Sequence, residues 1–413
     1  MSEQQAKFIE VDQLRVGMYV YLDLGWMGHP FALNNFKIIS QSQIETIQGL
    51  GLKRLRWSPE HSELAEAAVQ PAAAAEPAHD PERELLLAER ASLARCDREF
   101  SQASRAYRDI LKQAKDRPQE AKAQTEAMVG GLVENLLDQG ESMIRLLSEN
   151  AGESSSLHAV NVMVISLLLG QRLGLDAKAL QCLGVGALLH DIGKMELPPR
   201  IRWRDEHLTP TERSLLQQHV EFGADLAARM QVGTQARAII AQHHEYMDGS
   251  GYPKRLQGDA LLYSARIVSL VNHYDALCNP ANPVAAMTPH RALSLMFAQA
   301  REKFDPAILG VFVRMMGVYP PGSVVQLTDD RYALVVSVNA ARPLKPRVII
   351  YESRVPPEVA LAVDLEDQPE LGIRASIKPV QLPRNVFDYL SPRQRMCYFF
   401  ERARQPEQGT KGA

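Results

Sequence analysis

The 413-residue sequence lacks the features that mark secreted, membrane-spanning and nucleic-acid-binding proteins. Its four cysteines are scattered and include no CxxC pair: Cys96, Cys182, Cys278 and Cys397. This spacing excludes a disulfide framework and a zinc ribbon, and it favours a reducing cytoplasm. The longest apolar run, at residues 162–169, is far below the roughly 18 residues of a membrane span, and the polar N-terminus has no signal core. The net charge of −3 argues against a general nucleic-acid or membrane binder.

A chain of 413 residues is too long for one compact core, and changes in composition divide it into several parts. Residues 1–61 alternate short apolar runs with turns, which predicts a small α+β regulatory module. Residues 62–81 are rich in alanine and proline. Pro71, Pro77 and Pro81 favour a flexible linker over a helix start in this stretch.

The rest of the chain predicts a mainly α protein with a β-rich end. Residues 82–150 are helical in composition, and an apolar stripe there mediates dimerisation or packs onto the next domain: Leu132, Leu136, Met143, Leu146 and Leu147. Residues 151–318 predict an all-helical domain. Residues 319–405 predict a β-rich subdomain that closes with a helix near residues 392–404, and residues 406–413 predict a disordered tail.

Histidines are concentrated on the inward faces of helices in the 151–318 domain. A capping box at Thr209 and Glu212 opens a helix that is predicted to reach about residue 230. One histidine on an apolar face is more often a packed core residue than a ligand, but burying several imidazoles requires partners. A shared metal cluster would satisfy all five of them: His158, His190, His219, His243 and His244.

A set of imidazoles with a carboxylate suits Fe, Mn, Zn or Ni, and the lack of cysteine ligands argues against a structural zinc site. Asp191, next to His190, is the natural carboxylate to bridge two ions. Lys194 lies four residues past His190, where its ammonium is a point charge for a phosphate oxygen; the alternative is a solvated surface lysine. A bridged metal pair can stabilise both oxygens of a phosphodiester displacement. The pattern therefore predicts a metal-dependent phosphohydrolase with Asp191 and Lys194 as catalytic residues.

Two motifs and a lone histidine carry a family resemblance. HDIGK at residues 190–194, His219 and HHEYMDGSGYP at residues 243–253 resemble the HD-GYP family of cyclic-di-GMP phosphodiesterases. The resemblance covers roughly residues 150–350, and residues 8–60, with GHPF at 28–31, resemble the uncharacterised module that often precedes this domain. It implies an HD-superfamily helical fold that hydrolyses the bacterial second messenger cyclic di-GMP to pGpG or GMP and so lowers its level.

The resemblance also implies the site. It implies two divalent ions, iron or manganese, held at six matching positions: His158, His190, Asp191, His219, His243 and His244. Lys194 is implied to contact the scissile phosphate. The implied substrate-binding loop consists of Asp248, Gly249, Gly251, Tyr252 and Pro253. Its glycines permit a tight turn and close backbone approach, and its tyrosine can stack on guanine or hydrogen-bond the phosphate.

Two departures from the family pattern concern the metals. Asn272 stands where the family usually has an aspartate ligand; its carbonyl can coordinate, but it brings no charge. Ser154 stands where members with three metals have a glutamate, which makes the neighbouring Glu153 the candidate ligand of a third ion. A site with two ions is the expectation.

A third departure concerns the substrate. The family often has a basic Arg-Pro-Tyr-Arg-type segment that helps to hold the ligand, but this chain has CNPANPV at residues 278–284. Arg266 and Arg291 are the candidate replacements. Surface salt bridging is the alternative for both arginines.

The sequence alone leaves three functions open. The first is an active cyclic-di-GMP phosphodiesterase, and the second is a catalytically weak sensor or interaction module, which Asn272 and the missing basic segment would explain. The third is a general phosphohydrolase that acts on mononucleotides, since the His190–Asp191 pair is common to the wider HD superfamily. The expected partners are cyclic di-GMP, other signalling proteins of GGDEF or PilZ type and a second copy of the chain. Nucleic acid and membrane are not expected partners.

Overall fold

The computed structural model describes residues 7–22, 31, 34–50, 52–62, 81–138, 142–148, 154–202, 208–339 and 342–402. These residues belong to two compact units, Met1–His79 and Asp80–Ala413. Four features of the sequence analysis lie outside the described residues: nearly all of the predicted linker at 62–81, the GHP of the GHPF segment, Glu153 and the predicted tail at 406–413. No helix in the described ranges is long and apolar enough to cross a membrane.

The first unit is a four-stranded antiparallel sheet with one helix. The strands pair in the order β1-β4-β2-β3, and their ranges are β1 Lys7–Glu10, β2 Tyr19–Tyr21, β3 Asn35–Lys37 and β4 Arg54–Ser58. Helix α1, Gln41–Gln48, begins after Ser40, whose hydroxyl accepts a hydrogen bond from the backbone of Gln43. Alternate strand residues and α1 bury a small separate core that includes Val20, Ile44 and Leu55. The expected α+β module is confirmed.

Helices make up most of the second unit, as predicted. They are α2 Pro81–Gln113, α3 Pro118–Asp138, α4 Ser154–Arg172, α5 Ala177–Leu189, α6 Pro199–Arg202, α7 Pro210–Gln217, α8 His219–Arg229, α9 Thr234–Gln242, α10 Tyr263–Cys278, α11 Pro289–Gln299, α12 Pro306–Met316 and α13 Arg384–Leu390. Pro118 separates α2 from α3 because its ring cannot continue a helix but fits a first turn. One continuous hydrophobic core runs through these helices and the sheet described next.

The sheet of the second unit joins two distant parts of the chain. Its strands are β5 Ser142–Leu146, β6 Val324–Leu327, β7 Tyr332–Val338, β8 Arg347–Ile350, β9 Ala362–Asp364, β10 Ile373–Ile377 and β11 Tyr398–Arg402. The order β10-β6-β7-β5-β11, with β8 and β9 added beside β7, places β5 between two strands of the C-terminal region. The predicted hairpin at Asp329 and Asp330 is confirmed by the antiparallel pairing of β6 with β7.

Two secondary-structure predictions are wrong on this sheet. Residues 142–146 were predicted to continue a helix, and residues 392–404 were predicted to form one, but β5 and β11 pair with each other along five residues of each strand. Every side chain of β5 is buried, so Met143 and Leu146 belong to a strand that is enclosed on both faces and not to a helical stripe. Long-range pairing outweighs local helix propensity here, and the aromatic run at Tyr398 favours a strand.

Candidate metal centre

All of the predicted ligands except His158 lie at the ends of helices that converge on one point. His158 lies within α4, while His190 and Asp191 directly follow α5. The helix expected to run from Thr209 to about residue 230 has its capping box but is interrupted at Gln218, so His219 opens α8. The next helix, α9, likewise stops at Gln242, just before the two histidines of the second motif. For every predicted ligand except His158, a helix end and not a helix face is thus the framework of the site.

Backbone carbonyl groups orient three of the imidazoles in the same way. The Nδ1 atoms of His190, His219 and His243 each lie 2.6–2.7 Å from the carbonyl oxygen three residues earlier. A carbonyl can only accept, so Nδ1–H donates in each case and Nε2 carries the lone pair. Burial lowers the pKa of His190 to about 4 and also lowers the pKa of His243 and His244. These rings are therefore neutral and able to ligate at pH 7.

The Nε2 atoms point at one another across the site. His158 Nε2 lies 3.1 Å from His190 Nε2, and His219 Nε2 lies 3.2 Å from His243 Nε2. In the second pair both Nδ1–H groups are already committed to carbonyl groups, so two lone pairs face each other in a buried space. That arrangement is repulsive without a cation between the rings, and a metal ion removes the repulsion.

Asp191 joins the two sets of imidazoles. Its Oδ1 lies 3.3 Å from His219 Nε2, whereas its Oδ2 lies 3.5 Å from His190 Nε2 and 3.7 Å from His158 Nε2. Oδ1 is buried and has no hydrogen-bond donor among the described residues, as expected of a carboxylate that awaits a metal. Burial alone would raise the pKa of Asp191, but the ammonium of Lys194 is the largest of the effects that outweigh burial and hold the pKa well below the usual value.

The described residues therefore contain two groups able to hold metal, and the groups share Asp191. One group consists of Asp191, His219, His243 and His244, and the other consists of His158, His190 and Asp191. Within each group the ligand atoms lie within 4.8 Å of one another. Because neutral imidazoles and an ionised carboxylate are what a divalent transition metal prefers, the residues fit such an ion.

Lys194 lies on the short 3-10 helix Ile192–Glu196, directly after Asp191. Its Nζ is 2.7 Å from Asp191 Oδ2, so the ammonium is at the edge of the cluster. Gly193 between them is required by packing: a Cβ there would lie 2.0 Å from the carbonyl oxygen of His219 and 2.3 Å from the backbone nitrogen of Gly223. The glycine of HDIGK thus lets this short helix contact α8 closely.

The loop after His244 is folded back by a buried carboxylate. Glu245 is fully buried; its Oε1 accepts from the backbone of Lys254 at 2.6 Å, and its Oε2 accepts from the backbone of Leu256 at 3.0 Å. At Gly251 a Cβ would lie 2.4 Å from the carbonyl oxygen of His244. The sequence analysis assigned no role to Glu245. Its position between the two histidine ligands and a turn was the available signal that its carboxylate binds the backbone of the turn.

The predicted substrate-binding loop lies against the cluster through one residue. The ring of Tyr252 stacks on His244, with centroids 4.6 Å apart, and the peptide bond to Pro253 is cis. Asp248 instead fixes the turn, because its Oδ1 accepts from the backbone of Ser250 at 2.9 Å, and Gly249 has a positive φ of 75°. The loop thus holds Tyr252 beside the metal-ligand candidate His244, whereas Asp248 stabilises the turn of the loop.

Arg266 is engaged away from the cluster. Its guanidinium contacts Asp305 at 3.1 Å and Asp259 at 3.0 Å. Salt bridging was the alternative to substrate binding for this arginine. Arg291 is an exposed residue in the first turn of α11. Asn272 is buried on α10, one turn before Asp275. Among the described residues, no hydrogen bond or ion pair joins any of these three to the histidines, so the role expected of each stays a prediction.

Asp275 is a functional residue that sequence reasoning missed. Its Oδ2 lies 2.6 Å from His158 Nδ1, and its Oδ1 accepts from Asn161 and Asn279, both at 2.9 Å. Burial lowers the pKa of His158, but the hydrogen bond and charge of Asp275 outweigh it, and the pKa is raised. Asp275 is fully buried in a helix of apolar residues; an ionisable residue so placed needs a partner, which was the available signal.

Comparison with known proteins places these motifs in a family. A model described as the HD domain matches residues 108–308, and one described as a domain of unknown function (DUF3391) matches residues 6–125. The chain is 28% identical over 368 residues to "Cyclic di-GMP phosphodiesterase PA4108" of Pseudomonas aeruginosa, covering 85% of this chain and 87% of that protein.

Two further relatives match over smaller parts or at lower identity. "Cyclic di-GMP phosphodiesterase response regulator RpfG" of Xanthomonas campestris pv. campestris is 34% identical over 149 residues, which is 36% of this chain and 39% of that protein. The solved structure of Bd1817, an HDG"Y"P protein from Bdellovibrio bacteriovorus, is 17% identical with a TM-score of 0.42, covering 74% of this chain and 97% of that one. Residues 108–308 therefore match the HD-domain family and residues 6–125 match the DUF3391 module, and the HDIGK and HHEYMDGSGYP motifs resemble the HD-GYP form of that domain.

Proposed function

We propose that this protein is a metal-dependent phosphodiesterase that hydrolyses cyclic di-GMP. The observation that carries the proposal is the pair of ligand groups that share Asp191, with the ammonium of Lys194 2.7 Å from the shared carboxylate. Two relatives of this chain are named as cyclic-di-GMP phosphodiesterases, and the match covers 87% of the length of one of them. A metal site bridged by a carboxylate, with a cationic side chain beside it, is suited to a phosphodiester substrate.

The residues that would hold the metal are those of the two groups, with iron or manganese as the expected ions and two as the expected number. When bound, the ions would supply a nucleophilic water and stabilise the charge that develops on the phosphate oxygens. Glu153 is the candidate for a third ion, and Asn272, through its carbonyl, for an additional ligand. Asp191 would bridge, since its two oxygens face different sets of imidazoles.

The chain's own residues would divide the remaining work. Lys194 would donate to an oxygen of the scissile phosphate, because its ammonium is compact and already placed beside the bridging carboxylate. Tyr252 would offer its ring edge or hydroxyl to the substrate while its face stays on His244. Asp275 would keep His158 in the tautomer that presents Nε2 to the site. Cyclic-di-GMP signalling proteins and a homodimer stay predicted partners, and cytoplasmic location and the product, pGpG or GMP, stay predictions.

The test is turnover of cyclic di-GMP by protein purified without oxygen, with metal content measured on the same sample. Hydrolysis by a sample that holds about two ions per chain is the expected result. Reconstitution with iron and with manganese in parallel identifies the active metal.

Metal-loaded protein that binds the nucleotide without cleaving it would contradict the proposal and favour a sensor. Cleavage of nucleoside monophosphates in preference to cyclic di-GMP would contradict the substrate assignment. A chain that takes up no metal after anaerobic reconstitution would contradict the assignment of the cluster itself.

A further inference from the structure

A pocket of about 290 Å³ opens beside one half of the metal cluster. His158, Asp191 and Lys194 form one side of it, and the C-terminal part of α2 forms another, with Tyr107, Arg108, Leu111 and Lys112 among its lining residues. A volume near 300 Å³ is at the lower end of ligand pockets, so this one accommodates part of a dinucleotide. The helix therefore meets any substrate that reaches the metals from this side.

The α2 wall of the pocket, residues 107–112, combines apolar surface with positive charge. Tyr107 is only 4% exposed, and burial together with the charge of Asp191 raises its pKa. Leu111 packs against the core with one face exposed to the pocket. Arg108 is half-buried and Lys112 is exposed. An apolar surface bordered by cations suits a nucleotide, since the base needs apolar contact and the phosphate needs charge.

The position of this wall is fixed by contacts on both sides of residues 107–112. Lys115, two residues past α2, forms an ion pair with Glu196 at 2.9 Å, on the short helix that carries Lys194. Nearer the N-terminal end, Asp97 accepts from the backbone and hydroxyl of Ser148 at 3.1 and 2.6 Å. The wall is thus built into the same core as the metal ligands, as a pre-organised surface.

The substrate requires a cation that the metal-binding motifs do not provide. Cyclic di-GMP contains two phosphates, and only the one being cleaved can lie on the metals and Lys194. Residues 278–284 contain no basic side chain, and Arg266 is occupied by Asp259 and Asp305. Besides Lys194, the cations that line the pocket are Arg108, Lys112 and Arg202, and Arg202 Nη2 donates to the carbonyl groups of Met195 and Leu197 at 2.9 and 3.0 Å.

We propose that the α2 wall is the substrate-specificity surface of this enzyme: Tyr107 and Leu111 contact a guanine base, and Arg108 with Lys112 binds the phosphate that is not being cleaved. The inference rests on the proposed cyclic-di-GMP hydrolysis and deepens it. Lys112 pairs with Asp109 at 3.1 Å on the surface, and an exposed pair of this kind is weak enough to yield to a phosphate.

The experiment compares Arg108→Ala, Arg108→Lys, Lys112→Ala and Tyr107→Phe with a matched control, Arg105→Ala, which removes an exposed arginine from the same helix away from the pocket. Each metal-loaded variant is assayed on cyclic di-GMP and on bis(p-nitrophenyl) phosphate, a diester with one phosphate and no guanine. The readout is the ratio of kcat/KM for the two substrates, which a general loss of metal or stability leaves unmoved.

We expect Arg108→Ala to lower this ratio about tenfold, mainly by raising KM for cyclic di-GMP, as the loss of one charge-assisted contact would do. Arg108→Lys should restore most of it, and Lys112→Ala and Tyr107→Phe should lower it less. Ratios equal to that of Arg105→Ala in all four variants would overturn the inference. Wild-type protein that cleaves only bis(p-nitrophenyl) phosphate would instead refute the proposed function, so the two failures are distinguishable.

Discussion

The two halves of the metal cluster differ in how they are enclosed. On the side of Asp191 Oδ1, the side chains of His219 and His243 are at most 1% exposed and are oriented by backbone carbonyl groups. On the side of Oδ2, the side chain of His158 is 28% exposed, faces the pocket and is oriented by the carboxylate of Asp275. In the Oδ2 half, only His158 is open to the pocket and held by a side chain, because His190 is buried and held by a backbone carbonyl group. We call the Oδ1 half closed and the Oδ2 half open, and the pocket at His158 favours substrate approach on the open side.

Breaking the link between the halves should have the largest effect. Asp191→Asn removes the charge that both ligand groups share, so we expect hydrolysis to fall at least about a thousandfold and the metal content to drop in both halves. Metal analysis of the purified variant together with turnover of cyclic di-GMP checks this. Two ions retained at wild-type affinity would show that the halves bind independently of Asp191.

The closed half should be sensitive to backbone packing. Gly251→Ala places a Cβ 2.4 Å from the carbonyl oxygen of His244, and we expect unfolding stability to drop by about 1–3 kcal/mol, with activity falling as the loop shifts. Gly131→Ala is the control, because nothing lies within 4 Å of its Cβ in helix α3 and alanine there should stabilise by up to about 1 kcal/mol. Urea unfolding measures both. Equal effects of the two substitutions would rule out the packing explanation.

The open half should be sensitive to the loss of the Asp275 carboxylate, which orients His158. Asp275→Asn keeps the shape but weakens the hold on His158 Nδ1–H, and we expect metal affinity or activity to fall about 10–100-fold. Asp259→Asn, at a fully exposed partner of Arg266, is the control and should leave both unchanged. Titration of the metal-free protein with manganese gives the affinities. A change confined to stability would contradict an orienting role.

Asn272→Asp should have the smallest effect. It adds a carboxylate on α10 one turn before Asp275, and a charged ligand there would bind metal more tightly than a carbonyl. We expect a gain of a few-fold in metal affinity, with turnover within about tenfold of the wild-type value. No change in either quantity would mean that position 272 does not contact the metals of this chain.

The sequence predicted the composition of the site better than its framework. The five histidines and Asp191 come together as expected, because helical spacing and the HDIGK and HHEYMDGSGYP motifs specify local geometry. The break at Gln218 and the roles of Glu245 and Asp275 depend on contacts between segments far apart in the chain. A single sequence contains no direct signal for such contacts.

The same limit explains the errors on the sheet. Residues 142–146 and 398–402 become strands because each completes the other's hydrogen bonds across more than 250 positions of the chain. Arg145 and Glu401 on these strands form a buried ion pair at 2.7 Å, which a local reading takes for surface charge. By contrast, the strands at 324–338 were predictable because their hairpin is local.

The support of His158 by the end of the chain limits how this protein can be divided. Asn161, which holds Asp275, also donates to the carbonyl of Met396 at 2.6 Å and accepts from the backbone of Tyr398 at 3.1 Å. A fragment cut at residue 318 would therefore retain every histidine of the cluster and lose the scaffold behind one of them. A shortened version that keeps this support must carry α4, α10 and residues 396–398 together, so the structural unit is larger than the motifs that identify it.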